Sequence, residues 1–316
     1  MMKSKNHMMI FIILGTVAVA CLFGCTSSLH IEGVQRVTPR GRAWSNVYAI
    51  SWSPDGSELA LARVMGRVEG VTEGYVYLIG MEEKEPRTLT LTKTSNGEVS
   101  GPAWSPTSDQ IAFFVSGLDW EPDGIWLVHT DDMEVPVFLG EGGSCSWSPD
   151  GKQIAITETR GGYQIYVLNL RTGEKQEILR FSEEGHYASE GGISWSPKGD
   201  RLAFAYGLAD QNLMSIYELD LESRESRLLI EGEMYLSPSW SSDGTMLAFS
   251  GGPSLFELTL VIMRVANDSI IKPLDISGIG SVAWSPDGSK IAFEWEGSVY
   301  TIDTAVALRE WSATGE

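Results

Sequence analysis

From residue 52 onward the chain repeats one alternation of apolar and polar positions. An apolar run ends in Trp, a polar turn follows, and a run of the type Ile-Ala-Phe comes next. Trp52-Ser53-Pro54-Asp55-Gly56 precedes Leu59-Ala60-Leu61, and Trp104-Ser105-Pro106-Thr107-Ser108 precedes Ile111-Ala112-Phe113. Trp147-Ser148-Pro149-Asp150-Gly151 precedes Ile154-Ala155-Ile156, and Trp195-Ser196-Pro197-Lys198-Gly199 precedes Leu202-Ala203-Phe204. Trp240-Ser241-Ser242-Asp243-Gly244 precedes Leu247-Ala248-Phe249, and Trp284-Ser285-Pro286-Asp287-Gly288 precedes Ile291-Ala292-Phe293. The steps from Trp to Trp are 52, 43, 48, 45 and 44 residues.

Ser-Pro-Asp-Gly is turn chemistry. Pro presets φ at the second position, Asp tolerates the third, and Gly accepts a positive φ. Apolar runs of strand length on both sides make the unit a hairpin. Further apolar runs supply a third strand in each unit, at residues 75–80, 125–129, 164–170, 215–221, 260–265 and 298–303. A fourth follows, as at 87–91, 176–180, 226–230 and 270–274. Four strands in about 45 residues make one blade of a propeller. A lone blade cannot bury both faces, whereas a ring of blades can.

The pattern therefore predicts an all-β protein, a six-bladed β-propeller of four-stranded antiparallel blades. Trp52, Trp104, Trp147, Trp195, Trp240 and Trp284 are its structural repeat. Burying one such ring removes roughly 200 Å² from water, so six equivalent rings are read as packing between blades. Two segments compete to complete the sixth blade, residues 34–38 and 307–312. The first is preferred, because it would join the N-terminal end of the ring to the C-terminal end.

Residues 1–24 follow a different pattern. Lys3 and Lys5 precede an apolar stretch over residues 8–23, the layout of a secretory signal. Leu22-Phe23-Gly24-Cys25 then resembles the lipobox of bacterial lipoproteins, with Phe23 where a small residue is usual. The expectation is a signal peptide over 1–24, lipidation at Cys25, a tether over 25–33 and the propeller over 34–316. Ala18-Val19-Ala20-Cys21 is a second candidate site. An uncleaved apolar anchor and a plain secretory signal are the other readings. The lipidated chain would sit outside the cytoplasm on a bacterial cell membrane, in the periplasm or at the cell surface. Two or more acyl chains would hold it there. Of the three cysteines only Cys145 would then keep a free thiol, as a small strand residue.

The 316 residues carry 23 basic and 42 acidic side chains, a formal charge of −19. Nucleic-acid binding rests on Lys and Arg neutralising phosphate, so this balance argues against it. Chemistry is expected on the loops of one rim, the end of the ring opposite the Ser-Pro-Asp-Gly turns. Arg40, Arg42, Trp44, Trp120, Glu121, His186 and Tyr187 are the partner-binding candidates there, because exposed aromatics beside charge are typical interface anchors. Glu183, Glu184, His186 and Glu190 form a weak candidate set for Ca²⁺ or another divalent cation, in a spacing that matches no metal loop. The expectation is no metal, no cofactor and no catalytic residue. His129, at a strand end, is read as structural. No Gly-x-Ser-x-Gly elbow occurs in the sequence.

The repeats resemble those of TolB-type propellers, whose hallmark is the Trp-Ser-Pro-Asp-Gly turn followed by Ile-Ala-Phe, over roughly residues 34–312. The Gly-His and Trp-Asp marks of WD-repeat proteins are absent. The resemblance implies a propeller of the kind found in envelope assembly and in prolyl-oligopeptidase-type peptidases. The TolB α/β domain and the peptidase hydrolase domain have no counterpart in this sequence. The expected role is that of a monomeric cell-envelope lipoprotein whose rim binds an envelope protein or peptide. The alternatives are a metal-dependent propeller hydrolase of lactonase or glycosidase type, and a sensor of sugars or cell-wall fragments.

Overall fold

The computed structural model describes residues 31–39, 47–68, 71–82, 86–94, 98–117, 123–131, 136–159, 162–181, 186–187, 192–208, 213–231, 233–309 and 311. They form six antiparallel blades in a closed ring. Blade one comprises Val47–Trp52, Glu58–Val68, Val71–Gly80 and Pro86–Thr94, from the axis outward. Blade two comprises Val99–Trp104, Gln110–Val115, Gly124–His129 and Val137–Gly140. Blade three comprises Ser144–Trp147, Gln153–Glu158, Tyr163–Asn169 and Lys175–Phe181. Blade four comprises Ile193–Trp195, Arg201–Leu208, Leu213–Asp220 and Ser226–Ile230. Blade five comprises Met234–Trp240, Met246–Gly252, Thr259–Arg264 and Ser269–Ile271. Blade six comprises Ile279–Trp284, Lys290–Trp295 and Ser298–Asp303.

Val34–Arg36 is the outer strand of blade six, with Val34 opposite Ile302 and Arg36 opposite Tyr300. The ring is thus closed by a strand from before the first blade. Thr38 Oγ1 accepts the Val299 N–H, and Arg36 donates to Ser298 Oγ. The described residues of the other candidate segment do not extend the sheet. Thr304–Ala307 is helical, and Trp311 is buried beneath the Arg264 guanidinium. Arg309 donates twice to Glu32, pinning the segments before blade one and after blade six together again.

The repeated motif sets the register. In every blade the Trp lies opposite the first residue of the Ile-Ala-Phe run, as Trp52 opposite Leu59 and Trp284 opposite Ile291. The turn is closed from within. Ser53 Oγ donates to Asp55 Oδ1 at 2.7 Å and accepts the Glu58 N–H at 2.9 Å. Ser148 with Asp150, Ser241 with Asp243 and Ser285 with Asp287 repeat the clasp. Gly151 sits at φ 69° with Thr107 of the preceding blade against it, so neighbouring turns nest and a side chain there would collide.

Alternation explains the second strand. Its large residues and its alanines point to opposite faces, and both faces are buried. Leu59, Ile111, Ile154, Leu202, Leu247 and Ile291 are all inaccessible to solvent, as are Ala60, Ala112, Ala155, Ala203, Ala248 and Ala292. Each alanine faces the large residues of the next blade. Ala292 packs with Trp52, Leu59 and Leu61, and Ala112 packs with Trp147, Ile154 and Ile156. The core is therefore six interfaces between blades, large side against small side.

Candidate functional site

The inner strands enclose an axial cavity of ≈ 250 Å³. Serine, alanine, glycine, proline, Cys145 and three of the repeat tryptophans, Trp52, Trp104 and Trp284, dominate its wall, and among the described residues no charged side chain lines it. The residue before each repeat Trp decides how neighbouring blades are joined. Where it is serine, its hydroxyl accepts the backbone N–H of the next blade's Trp. Ser51 takes that of Trp104 at 2.9 Å, Ser146 that of Trp195 at 2.9 Å, Ser194 that of Trp240 at 3.4 Å and Ser239 that of Trp284 at 2.9 Å. Where it is alanine, the next indole reaches back instead. Trp147 Nε1 donates to the Ala103 carbonyl at 2.9 Å and Trp52 Nε1 to that of Ala283 at 3.1 Å. Each of the six junctions has one such bond, and the serine hydroxyls are committed to them.

The rim opposite the Ser-Pro-Asp-Gly turns is acidic in its described loops. Glu98, Asp123, Glu141, Glu231, Glu233, Glu257, Asp275 and Glu296 lie in or beside its described loops, against few cations. Lys272 there pairs with Glu233 at 3.8 Å. Asp123 is occupied locally. It accepts the Gly117 N–H at 2.7 Å and so closes the base of the loop over residues 117–123. Glu294 accepts the N–H groups of Gly297 and Gly280 below this rim. Burial nevertheless pushes its pKa up to about 8. Loss of hydration outweighs two hydrogen bonds that favour the ionised form.

An apolar anchor stands among these acids. Residues 253–258 join the second and third strands of blade five, and Glu257 N–H donates to the Ser254 carbonyl while Ser254 Oγ donates to Glu257 Oε2 at 2.9 Å. The turn packs Leu255 onto the core between blades four and five and leaves Phe256 58% exposed. An exposed phenyl ring next to the Glu257 carboxylate on an acidic rim suits a partner with apolar and basic groups.

The family model of the TolB beta propeller domain matches residues 97–276. The chain belongs to the TolB beta propeller family. The Tol-Pal system protein TolB of Alcanivorax borkumensis is 34% identical over 89 residues, 27% of this chain and 20% of that protein. The first three curated relatives share this disproportion, for the TolB-type chain spans only 20 to 30% of their lengths. A solved structure assigned as TolB from Agrobacterium tumefaciens matches with a TM-score of 0.58 at 16% identity, over 82% of this chain and 90% of that one. An oligogalacturonate lyase in complex with manganese matches with a TM-score of 0.53 at 14% identity, over 85% and 92%. Solved neighbours of this TolB-type fold thus include an enzyme, and at such identities the likeness concerns the fold alone.

Most of the residues singled out from the sequence lie outside the described part of this TolB-type propeller. These are Cys25, Arg40, Arg42, Trp44, Trp120, Glu121, Glu183, Glu184 and Glu190. His186–Tyr187 forms a two-residue strand paired with Gly207 and Leu208, at the rim end of blade four's second strand. That extra strand was not expected. Sequence reasoning also passed over Phe256, although Gly-Gly-Pro-Ser followed by Leu-Phe between two strands marks an apolar turn tip. Five of the six repeat tryptophans are buried, and Trp104 is partly so. No helix of the described residues is long and apolar enough to cross a membrane.

Proposed function

We propose that the protein is a cell-envelope lipoprotein, anchored through Cys25, whose propeller rim captures a protein or peptide partner. The exposed Phe256 on its braced turn carries this reading. Phe256 offers a hot-spot residue, and Glu257 with the other acids of the rim favours a partner bearing Lys or Arg beside an apolar side chain. The neutral lining of the axial cavity supports binding over hydrolysis, since it brings no acid–base pair together among the described residues. Membership of the TolB propeller family is consistent with an extracytoplasmic role.

The test is photo-crosslinking in intact cells, with the crosslinker at position 256 and, as a control, at position 152 in a turn at the opposite end. Adducts at 256 that are missing at 152 and weaken when Glu257 is changed to Lys are expected. Equal labelling at both positions would overturn the reading.

A further inference from the structure

Blade two breaks the repeat at the end of the ring away from the rim. Its turn reads Ser-Pro-Thr-Ser in place of Ser-Pro-Asp-Gly, and its acid stands two positions later, at Asp109. Ser108 Oγ closes this turn onto Ser105 Oγ at 2.9 Å, the task done by aspartate in blades one, three, five and six. Asp109 faces the end of the third strand instead. There His129 Nδ1 lies 3.7 Å from Asp109 Oδ1, and Asp131 follows two residues on. The donor atoms of Asp109, His129 and Asp131 all lie within 4.8 Å of one another.

Three features make this more than a solvated group of acids. The backbone is fixed, because Thr130 N–H donates to the Asp109 carbonyl at 2.7 Å. The ring is fixed too, because the Gln110 side-chain amide meets His129 Nε2 at 3.1 Å. The amide nitrogen faces Nε2 and the amide oxygen accepts from Ser108 Oγ, so the neutral ring carries its proton on Nδ1, toward Asp109. An ion at Nδ1 would displace that proton, and the Gln110 amide would turn over to accept it from Nε2, leaving one ring nitrogen held by an outer partner and the other on the ion. The nearest cation is committed elsewhere. Arg87 of blade one donates to the Thr130 carbonyl at 2.8 Å and pairs with Glu58 at 3.4 Å.

We propose that Asp109, His129 and Asp131 bind a divalent transition-metal ion of the zinc or manganese class. One imidazole nitrogen and two carboxylate oxygens suit such ions, whereas Ca²⁺ takes oxygen alone. Three protein donors leave positions for water or for a donor from another molecule. The ion ties the turn between the first two strands of blade two to the turn after its third.

The test is titration calorimetry of the full chain with zinc chloride, then manganese chloride, then calcium chloride. One zinc or manganese ion per chain is expected. Affinity is expected to fall at least tenfold in His129→Gln and in Asp109→Asn, and to fall less in Gln110→Ala. His186→Ala, at the rim, is expected to bind as the parent does. Thermal melts without metal establish that each variant is folded, and zinc is expected to raise the midpoint of the parent but not of His129→Gln. Absence of zinc and manganese binding, binding unaffected by His129→Gln, binding lost in His186→Ala, or a response to calcium alone would each overturn the proposal.

Discussion

Replacing the repeat tryptophans by phenylalanine is expected to cost very different amounts at two positions that the sequence makes equivalent. Trp147 and Trp195 end the inner strands of adjacent blades, and both are buried, 6% and 9% exposed. Each substitution removes a similar area of ring, so the packing loss is shared and cancels in the comparison. The polar atoms do not cancel. Trp147 Nε1 donates to the Ala103 carbonyl, whereas Trp195 Nε1 is buried without an acceptor. Removing a made bond forfeits about 1 kcal/mol, and removing a stranded buried donor returns about 1–3 kcal/mol. Trp147→Phe is therefore expected to be more destabilising than Trp195→Phe by about 2–4 kcal/mol. Urea unfolding followed by circular dichroism measures this as a difference in midpoint at unchanged slope. Equal costs, or a greater cost at Trp195, would refute the assignment of the indole at Trp147 as the bond between blades two and three.

Gly151→Ala is expected to destabilise more than Gly173→Ala. Both glycines have positive φ, 69° and 71°, but a side chain at 151 runs into Thr107 and one at 173 meets nothing within 4 Å. Thermal melts compare them, and the strain common to both is about 1 kcal/mol. Glu294 is expected to make stability fall as pH rises. Its folded pKa of about 8 exceeds the ordinary 4.5, so the folded state holds the proton more tightly across that interval. The loss starts above pH 4.5 and levels off above pH 8. Urea midpoints from pH 5 to 9 should slope less in Glu294→Gln, and parallel profiles would count against this. Asp55 acts oppositely. Its folded pKa of about 2, set by the Ser53 hydroxyl and then by Ser57, lies below 3.8, so its contribution is present above pH 3.8 and disappears as pH falls through 2. Cys25→Ser is expected to move the protein from the membrane pellet to the soluble fraction. Continued pelleting would place the anchor elsewhere.

The blades were legible because their cause is local. A Trp, a Pro-Asp-Gly turn and a strand with alanine in its centre each demand one conformation, and repetition removes the ambiguity of any single copy. Ring closure was less legible, since residues 34–38 and 307–312 are both short apolar runs. It is settled by long-range pairing of Val34 with Ile302 and by the helix over Thr304–Ala307, and neither leaves a local mark. The alternation of serine and alanine before the repeat tryptophans was in plain view. Its meaning depends on which blade comes next, which spacing alone does not convey.

Function is harder to read for the converse reason. A repeat constrains whatever the ring needs, so what is peculiar to this protein must lie where one copy departs from the others. The position after Ile-Ala-Phe holds Ala62, Phe114, Thr157, Ala205, Ser250 and Glu294. Thr157 and Ser250 bond to their own inner strands, while Glu294 puts a carboxyl that resists ionisation in the same place. Likewise the acid of the turn is spent on its own serine in five blades, through Asp200 in blade four, and released in blade two to stand beside His129. Six copies of one unit supply an internal standard that a single sequence otherwise lacks. Measured against it, Glu294, Asp109 and the Leu255-Phe256 turn are the places where this ring does something that closing a ring does not require.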